Sequence, residues 1–150
     1  MDPRVDAATA ICQAKRPLRS RMAAGGMTLD AMPLNKLSSS VEIYDPASHT
    51  WTEAASMQQP RYSHFLVLLS DGQVLVLAGA RDWDCCWTDG SFVPEIECYD
   101  PAADRWLLAG QLPQPRAQAA AAMLQLDRIW LTGGRWSTTT YADDSWFIDY

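Results

Sequence analysis

The chain has 150 residues, 48% of them hydrophobic and 20% charged, and a net charge of −6. That apolar fraction excludes disorder by composition, and with no apolar run of 18 residues an ordinary transmembrane helix is excluded. Residues 1–40 carry six basic and three acidic side chains, residues 41–150 six basic and fifteen acidic; an acidic body without a basic stripe excludes nucleic acid as an expected partner, and nothing marks a membrane as one.

In chain order, residues 1–24 read as a leader, disordered or a short helix from about Val5 to Ala14 stopped before Pro17. Ala7 to Cys12 is too short and weakly apolar for a secretory core. Asp2 and Asp6 argue against an organelle presequence despite Lys15, Arg16, Arg19 and Arg21. A soluble, intracellular chain in the cytoplasm is the expectation. Gly25-Gly26 then introduces a pattern that returns. Val41-Glu-Ile-Tyr-Asp-Pro-Ala, through Trp51 to Pro60-Arg61, aligns without a gap on Ile96-Glu-Cys-Tyr-Asp-Pro-Ala, through Trp106 to Pro115-Arg116. The offset is 55 residues, and 10 of 21 positions are identical. Duplication accounts for such agreement and chance does not.

Between the copies, Ser63 to Leu69 and Gln73 to Gly79 are apolar runs joined at Asp71-Gly72, a hairpin signal because the turn needs positive φ. Ala117 to Leu124 and Arg128 to Gly134 repeat the pair around a glycine-free turn, Gln125-Leu126-Asp127. A third, partial copy begins at Asp144-Ser145-Trp146, with Ile148 where the Tyr is expected. Each unit predicts four strands: a after Pro-Arg, b ending in a glycine pair, c carrying Glu-x-Tyr-Asp-Pro, and d carrying the Trp. The middle pair reads as Gly79-Ala80, which would strain Ala80. The fold class is therefore all-β, a partial β-propeller of about two and a half four-stranded antiparallel blades. Its boundaries are a partial blade at 25–60, a full one at 61–115 and a partial one at 116–150.

The glycine doublet, the Tyr-Asp-Pro, the Trp seven residues after the Tyr, and the Pro-Arg together resemble the kelch repeat over residues 25–150. Glu97-Cys98-Tyr99-Asp100-Pro101 followed by Trp106 is most similar to animal kelch-like proteins of the BTB-kelch family. The resemblance implies a protein-binding propeller segment that recognises its partner through the b–c and d–a loops, as the substrate-recognition part of a cullin-3 ubiquitin ligase adaptor. The BTB and BACK domains of such adaptors do not fit in the first 40 residues. A fragment of a kelch-type propeller enzyme, such as a sugar-modifying protein, is the alternative. So few blades do not close a ring, so a fragment of a longer protein is expected, and exposed blade edges invite self-association.

Residues with the chemistry of interface anchors fall in those loops. Arg81, Trp83, Trp87 and Phe92 lie in one b–c loop, and Arg135, Trp136 and Tyr141 in the next, with Ser137 to Thr140 as hydrogen-bonding neighbours. Tyr62 and Ser63, just after a d–a turn, join them. Catalysis is not expected: Ser63, His64 and Asp71 lack a Gly-x-Ser-x-Gly elbow. No cofactor or metal is expected either. Cys12, Cys85, Cys86 and Cys98 form no Cys-x-x-Cys pair, only His49 and His64 are available as histidine ligands, and the acidic loop Asp82 to Gly90 lacks the calcium-loop oxygen and glycine pattern.

Overall fold

A computed structural model describes residues 4–5, 8–12, 20–28, 36–82, 89–124, 128–137 and 139–150. Short runs of β-branched and aliphatic residues between turn formers become strands throughout. In the second blade these are β8 (Phe65–Leu68), β9 (Val74–Leu77), β10 (Glu95–Asp100) and β11 (Arg105–Gln111), hydrogen-bonded in the order β11-β10-β9-β8. β9 is apolar at every position because both of its faces are covered. The β8–β9 hairpin turns where expected, with Gly72 at φ 94° and its N–H donating to the Leu69 carbonyl at 3.1 Å. Asp45 and Asp100 start the c–d turns by accepting the N–H groups of Ala47 and Ala102, each at 2.9 Å.

The first blade is whole. β2 (Ala8–Cys12), β3 (Ser20–Ala24), β6 (Val41–Asp45) and β7 (Thr50–Ala54) form a four-stranded sheet in the order β2-β3-β6-β7. Among the described residues, 8–12 and 20–24 are therefore strands of one blade with 41–45 and 50–54, where a disordered or helical leader and a partial blade at 25–60 were expected. The alanines of β2 favour a helix in isolation, but pairing along all five residues of β3 outweighs that preference. β3 is a recognisable inner strand only in its burial: Met22, Ala23 and Ala24 are covered. The third blade contributes β12 (Ala120–Met123), β13 (Arg128–Thr132) and β14 (Ser145–Asp149), in that order.

A small second ladder crosses the end of each blade. In the first blade it is β1 (Arg4–Val5), β4 (Met27–Thr28) and β5 (Lys36–Leu37). In the second it shrinks to single bridges linking Tyr62, Ala80 and Phe92, and in the third to bridges linking Ala117, Arg135 and Tyr141. These equivalences realign the glycine doublet. Gly25 and Gly26 have φ of 64° and 100°, Gly133 and Gly134 have 65° and 97°, and in the middle blade the matching angles belong to Ala78 (62°) and Gly79 (102°). The doublet there is Ala78-Gly79, and the strain falls on Ala78 rather than Ala80. The seam accommodates the extra methyl. A Cβ at Gly25 would lie 2.8 Å from the His64 ring, whereas Ala78 shares its apolar cluster with Ala119, the small counterpart of His64.

The core lies between blades rather than within them. Met22, Val41 and Met57 of the first blade pack against Val74, Val76, Tyr99 and Trp106 of the second. Leu75, Leu77, Ile96 and Cys98 of the second pack against Ile129 and Leu131 of the third. Backbone bonds cross the same seams: the Gly26 N–H donates to the Arg61 carbonyl at 3.0 Å, and the Gly79 N–H to that of Arg116 at 2.8 Å. Trp106 reaches back across its seam, its Nε1 donating to the Ala55 carbonyl at 2.8 Å while Asp104 Oδ1 accepts the Ala55 N–H and the Tyr99 hydroxyl. Trp51, its counterpart in the first blade, is 52% exposed.

Candidate functional site

In a four-stranded antiparallel blade the b–c and d–a connections emerge at the same end, so the loops of neighbouring blades share one rim. Each Pro-Arg motif anchors that rim from below. Arg61 is fully buried, its Nη1 donating to the carbonyls of Ala78 and Glu95 (3.2 and 2.9 Å) and its Nη2 to Glu97 Oε1 (2.6 Å). Glu97 also accepts the N–H groups of Gln58 and Gln59, so its carboxylate is fully engaged, while Arg61 Nε is buried without a partner. Burial pulls Arg61 below the usual guanidinium range, and Glu97 opposes that shift. Arg116 repeats the arrangement with a different acid: Nη1 and Nη2 donate to the two oxygens of Asp144 at 2.7 and 3.2 Å, and Nη1 also to the Gly133 carbonyl. Arg116 in turn holds the Asp144 carboxyl below its ordinary range. These arginines fix the d–a segments, and they are too deep to meet a partner.

Above them, a cleft of about 480 Å³ opens between the second and third blades, lined by Phe92, Gln114, Pro115, Trp136, Ser137 and Thr140. Its volume lies in the range typical of small recognition pockets. The loop that carries Trp136 is short and internally tied. Arg135 and Ala117 exchange backbone bonds of 2.9 and 3.0 Å, the Trp136 N–H donates to the Thr140 carbonyl, and Ser137 Oγ accepts the N–H groups of Thr139 and Thr140 at 3.2 and 2.9 Å. Arg135 lies over the Tyr141 ring at 4.9 Å, and Tyr141 is 67% exposed. A preordered indole beside an exposed, cation-capped phenol is suited to gripping a peptide side chain, since little ordering remains to be done on binding.

The expected site residues separate into groups. Trp136 lines the cleft, and Tyr141 and Arg135 flank it. Arg81 is partly exposed, with its Nη2 on the Phe92 carbonyl at 3.1 Å. Arg81 and Arg135 are not equivalent, because the bridges match Arg135 with Ala80 and so Arg81 with Trp136. Tyr62 is removed from the contact surface: it is 1% exposed and its hydroxyl donates to the Asp82 carbonyl at 3.1 Å. Ser63 sits at a seam, at φ 51°, with its carbonyl accepting the Gln118 N–H. Trp83 and Trp87 lie outside the described residues. Gln114 and Pro115 were missed, although they directly precede Arg116 and the d–a turn was the right place to search. His64 is buried at the seam beside Gly25, and His49 is exposed in a turn, hydrogen-bonded to the Tyr44 hydroxyl. Among the described residues, no three His, Cys, Asp or Glu side chains gather into a metal-binding group. Nor, among them, is any helix long and apolar enough to cross a membrane.

Comparison with known proteins agrees with this architecture. Residues 22–58 match the family model described as the Kelch motif. Beta-scruin of Limulus polyphemus is 34% identical over 95 residues, covering 63% of this chain and 10% of its own length. Human Kelch-like protein 34 is 30% identical over 95 residues, covering 63% of this chain and 14% of its own length. The chain thus spans a small part of these relatives. Among solved structures, the one named "Structure of YjhT" superposes with a TM-score of 0.80 at 18% identity, over 98% of this chain and 49% of that one. A fungal alcohol oxidase in complex with copper superposes with a TM-score of 0.71 at 18% identity, over 87% of this chain and 27% of that one. Both likenesses are of fold.

Proposed function

We infer, from the premise that this chain is a segment of a kelch-repeat β-propeller, that it is a protein-binding module without catalytic activity, working in the cytoplasm. Its contact surface is the rim cleft between the second and third blades. The observation that carries this reading is the cleft's lining: Phe92 and Trp136 from two b–c loops, with Gln114 and Pro115 from the d–a turn between them. Buried aromatic anchors ringed by polar groups are the usual make-up of interface hot spots. The fitting partner is an extended loop or peptide that presents an apolar or aromatic side chain to Trp136 and an acceptor to Arg81 or Arg135. In its finer form the proposal makes this the substrate-recognition surface of a cullin-3 ubiquitin ligase adaptor, the role implied by resemblance to kelch-like proteins.

Proximity labelling of the protein in cells, compared with a Trp136→Ala, Tyr141→Ala double variant, tests the reading. Each truncation at a hot spot costs about 2 kcal/mol or more, so partners held by the cleft should fall at least tenfold in recovery. A Ser48→Ala control, in a c–d turn at the opposite end, should leave them in place. An unchanged partner list in the double variant overturns the proposal.

A further inference from the structure

The fixed polar groups of the rim cleft are turned so that they donate. Gln114 sends its side-chain oxygen inward, where it accepts from Nη2 of the buried Arg116 at 3.3 Å, and its backbone carbonyl accepts from Arg116 Nε at 3.3 Å. A guanidinium carries donors only, so the amide oxygen is the atom that faces it and the NH2 is what Gln114 presents to the cleft. Ser137 Oγ accepts the N–H groups of Thr139 and Thr140, which uses its lone pairs and leaves its O–H to donate. Arg81 and Arg135, both partly exposed, bring guanidinium groups to the same rim. These donors lie beside the partly exposed indole of Trp136 and the exposed ring of Tyr141.

Such a surface matches a ligand that brings acceptors without donors of its own. An ordinary extended backbone carries an N–H for each carbonyl, and against a row of donors those N–H groups would go unpaired. A carboxylate brings acceptors alone, but residues 41–150 hold fifteen acidic side chains to six basic, and Asp82 and Asp143, in the same two loops, are exposed. That field opposes an anion and favours a cationic partner. Proline removes the N–H without adding charge, keeps the backbone extended with its carbonyls outward, and offers a ring that packs on aromatic faces. We propose that the rim cleft takes a proline-rich segment in the polyproline II conformation, its rings against Trp136 and Tyr141, its carbonyls on Gln114 and Ser137, and a basic flank toward the acidic body. The assignment rests on the cleft being the contact surface and adds the class of partner. Both sides are preformed, so little conformational freedom is lost when they meet.

Fluorescence anisotropy on the purified chain tests this with three labelled peptides of about ten residues, long enough for three turns of polyproline II. One is proline-rich with two arginines at one end, the second has its prolines replaced by alanine, and the third has its arginines replaced by glutamate. The first should bind at least about tenfold tighter than the second, which regains the N–H donors, and tighter than the third. Trp136→Ala should weaken the first peptide at least about tenfold, and Gln114→Met, which deletes the donor while Arg116 keeps Asp144, about threefold or more. Circular dichroism checks that both variants keep their strands. Equal binding of the alanine peptide, or tighter binding of the acidic one, overturns the proline assignment; if Trp136→Ala still weakens that binding, the cleft remains the contact surface and only the partner class falls. Binding of the proline peptide that ignores Trp136→Ala and Gln114→Met overturns the assignment by placing the peptide elsewhere. No binding of the proline peptide at about 1 mM, where association is already marginal, also overturns it, and the proximity labelling then decides the cleft by itself.

Discussion

His64 shows how one side chain sets the conditions under which the first two blades stay together. Its ring faces Gly25 across the seam, and burial, helped by the charge of Arg61, pushes it down to about 3 against a smaller opposing pull from the backbone of Ala24. The histidine is therefore neutral when folded and takes up a proton more readily when unfolded. Its stabilising contribution is complete above the unfolded value near 6.5 and is lost as pH falls from there toward about 3. Urea melts from pH 7.5 to pH 4 should show stability falling at up to about 1.4 kcal/mol per pH unit from this group. A His64→Ala variant, which copies Ala119 of the next seam, should have a shallower acid slope even if it is less stable at neutral pH. Equal slopes in the two proteins would refute the assignment.

The strand repeats were legible because their markers are chemically constrained: Asp45-Pro46 and Asp100-Pro101 make turns, and Trp51 and Trp106 sit at a fixed distance beyond them. The first blade's inner strands were hidden for the opposite reason. Ala8 to Cys12 and Ser20 to Ala24 depend on tertiary pairing and on small side chains, and neither produces an apolar run. A signal was present in Pro3-Arg4, which precedes β2 as Pro60-Arg61 precedes β8. The cleft was half visible, since aromatic content located Trp136 and Tyr141. Exposure is not written in residue type, so Tyr62 passed for a contact residue while its ring lies buried. The same dependence on neighbours separates the two equivalent tryptophans. Trp106→Ala removes a buried indole and its bond to Ala55 and should cost about 3–5 kcal/mol in chemical denaturation. Trp51→Ala should cost less than about 1 kcal/mol in the single chain, so a similar loss at both positions would contradict this assignment of seams.

At the scale of the molecule, stability belongs to the seams, since the apolar clusters lie between blades and not inside them. Repeat arrays of this kind are held by nearest-neighbour contacts, and each added contact couples one unit to the next. The doublet glycines give those contacts a reporter. The Gly26 and Gly79 amides are tied to the carbonyls of Arg61 and Arg116 in the following blade, and not to their own sheets. Their hydrogens can be traded for solvent deuterium only when two blades part, whereas the amides of β9 are also held within one blade. Exchange at these two positions is thus a clock for blade separation, read independently of the melting of either sheet. Gly26 should exchange faster than Val76 under conditions that loosen the first seam, such as mild acid, and Gly79 should keep its protection there. The backbone itself records which seam has opened.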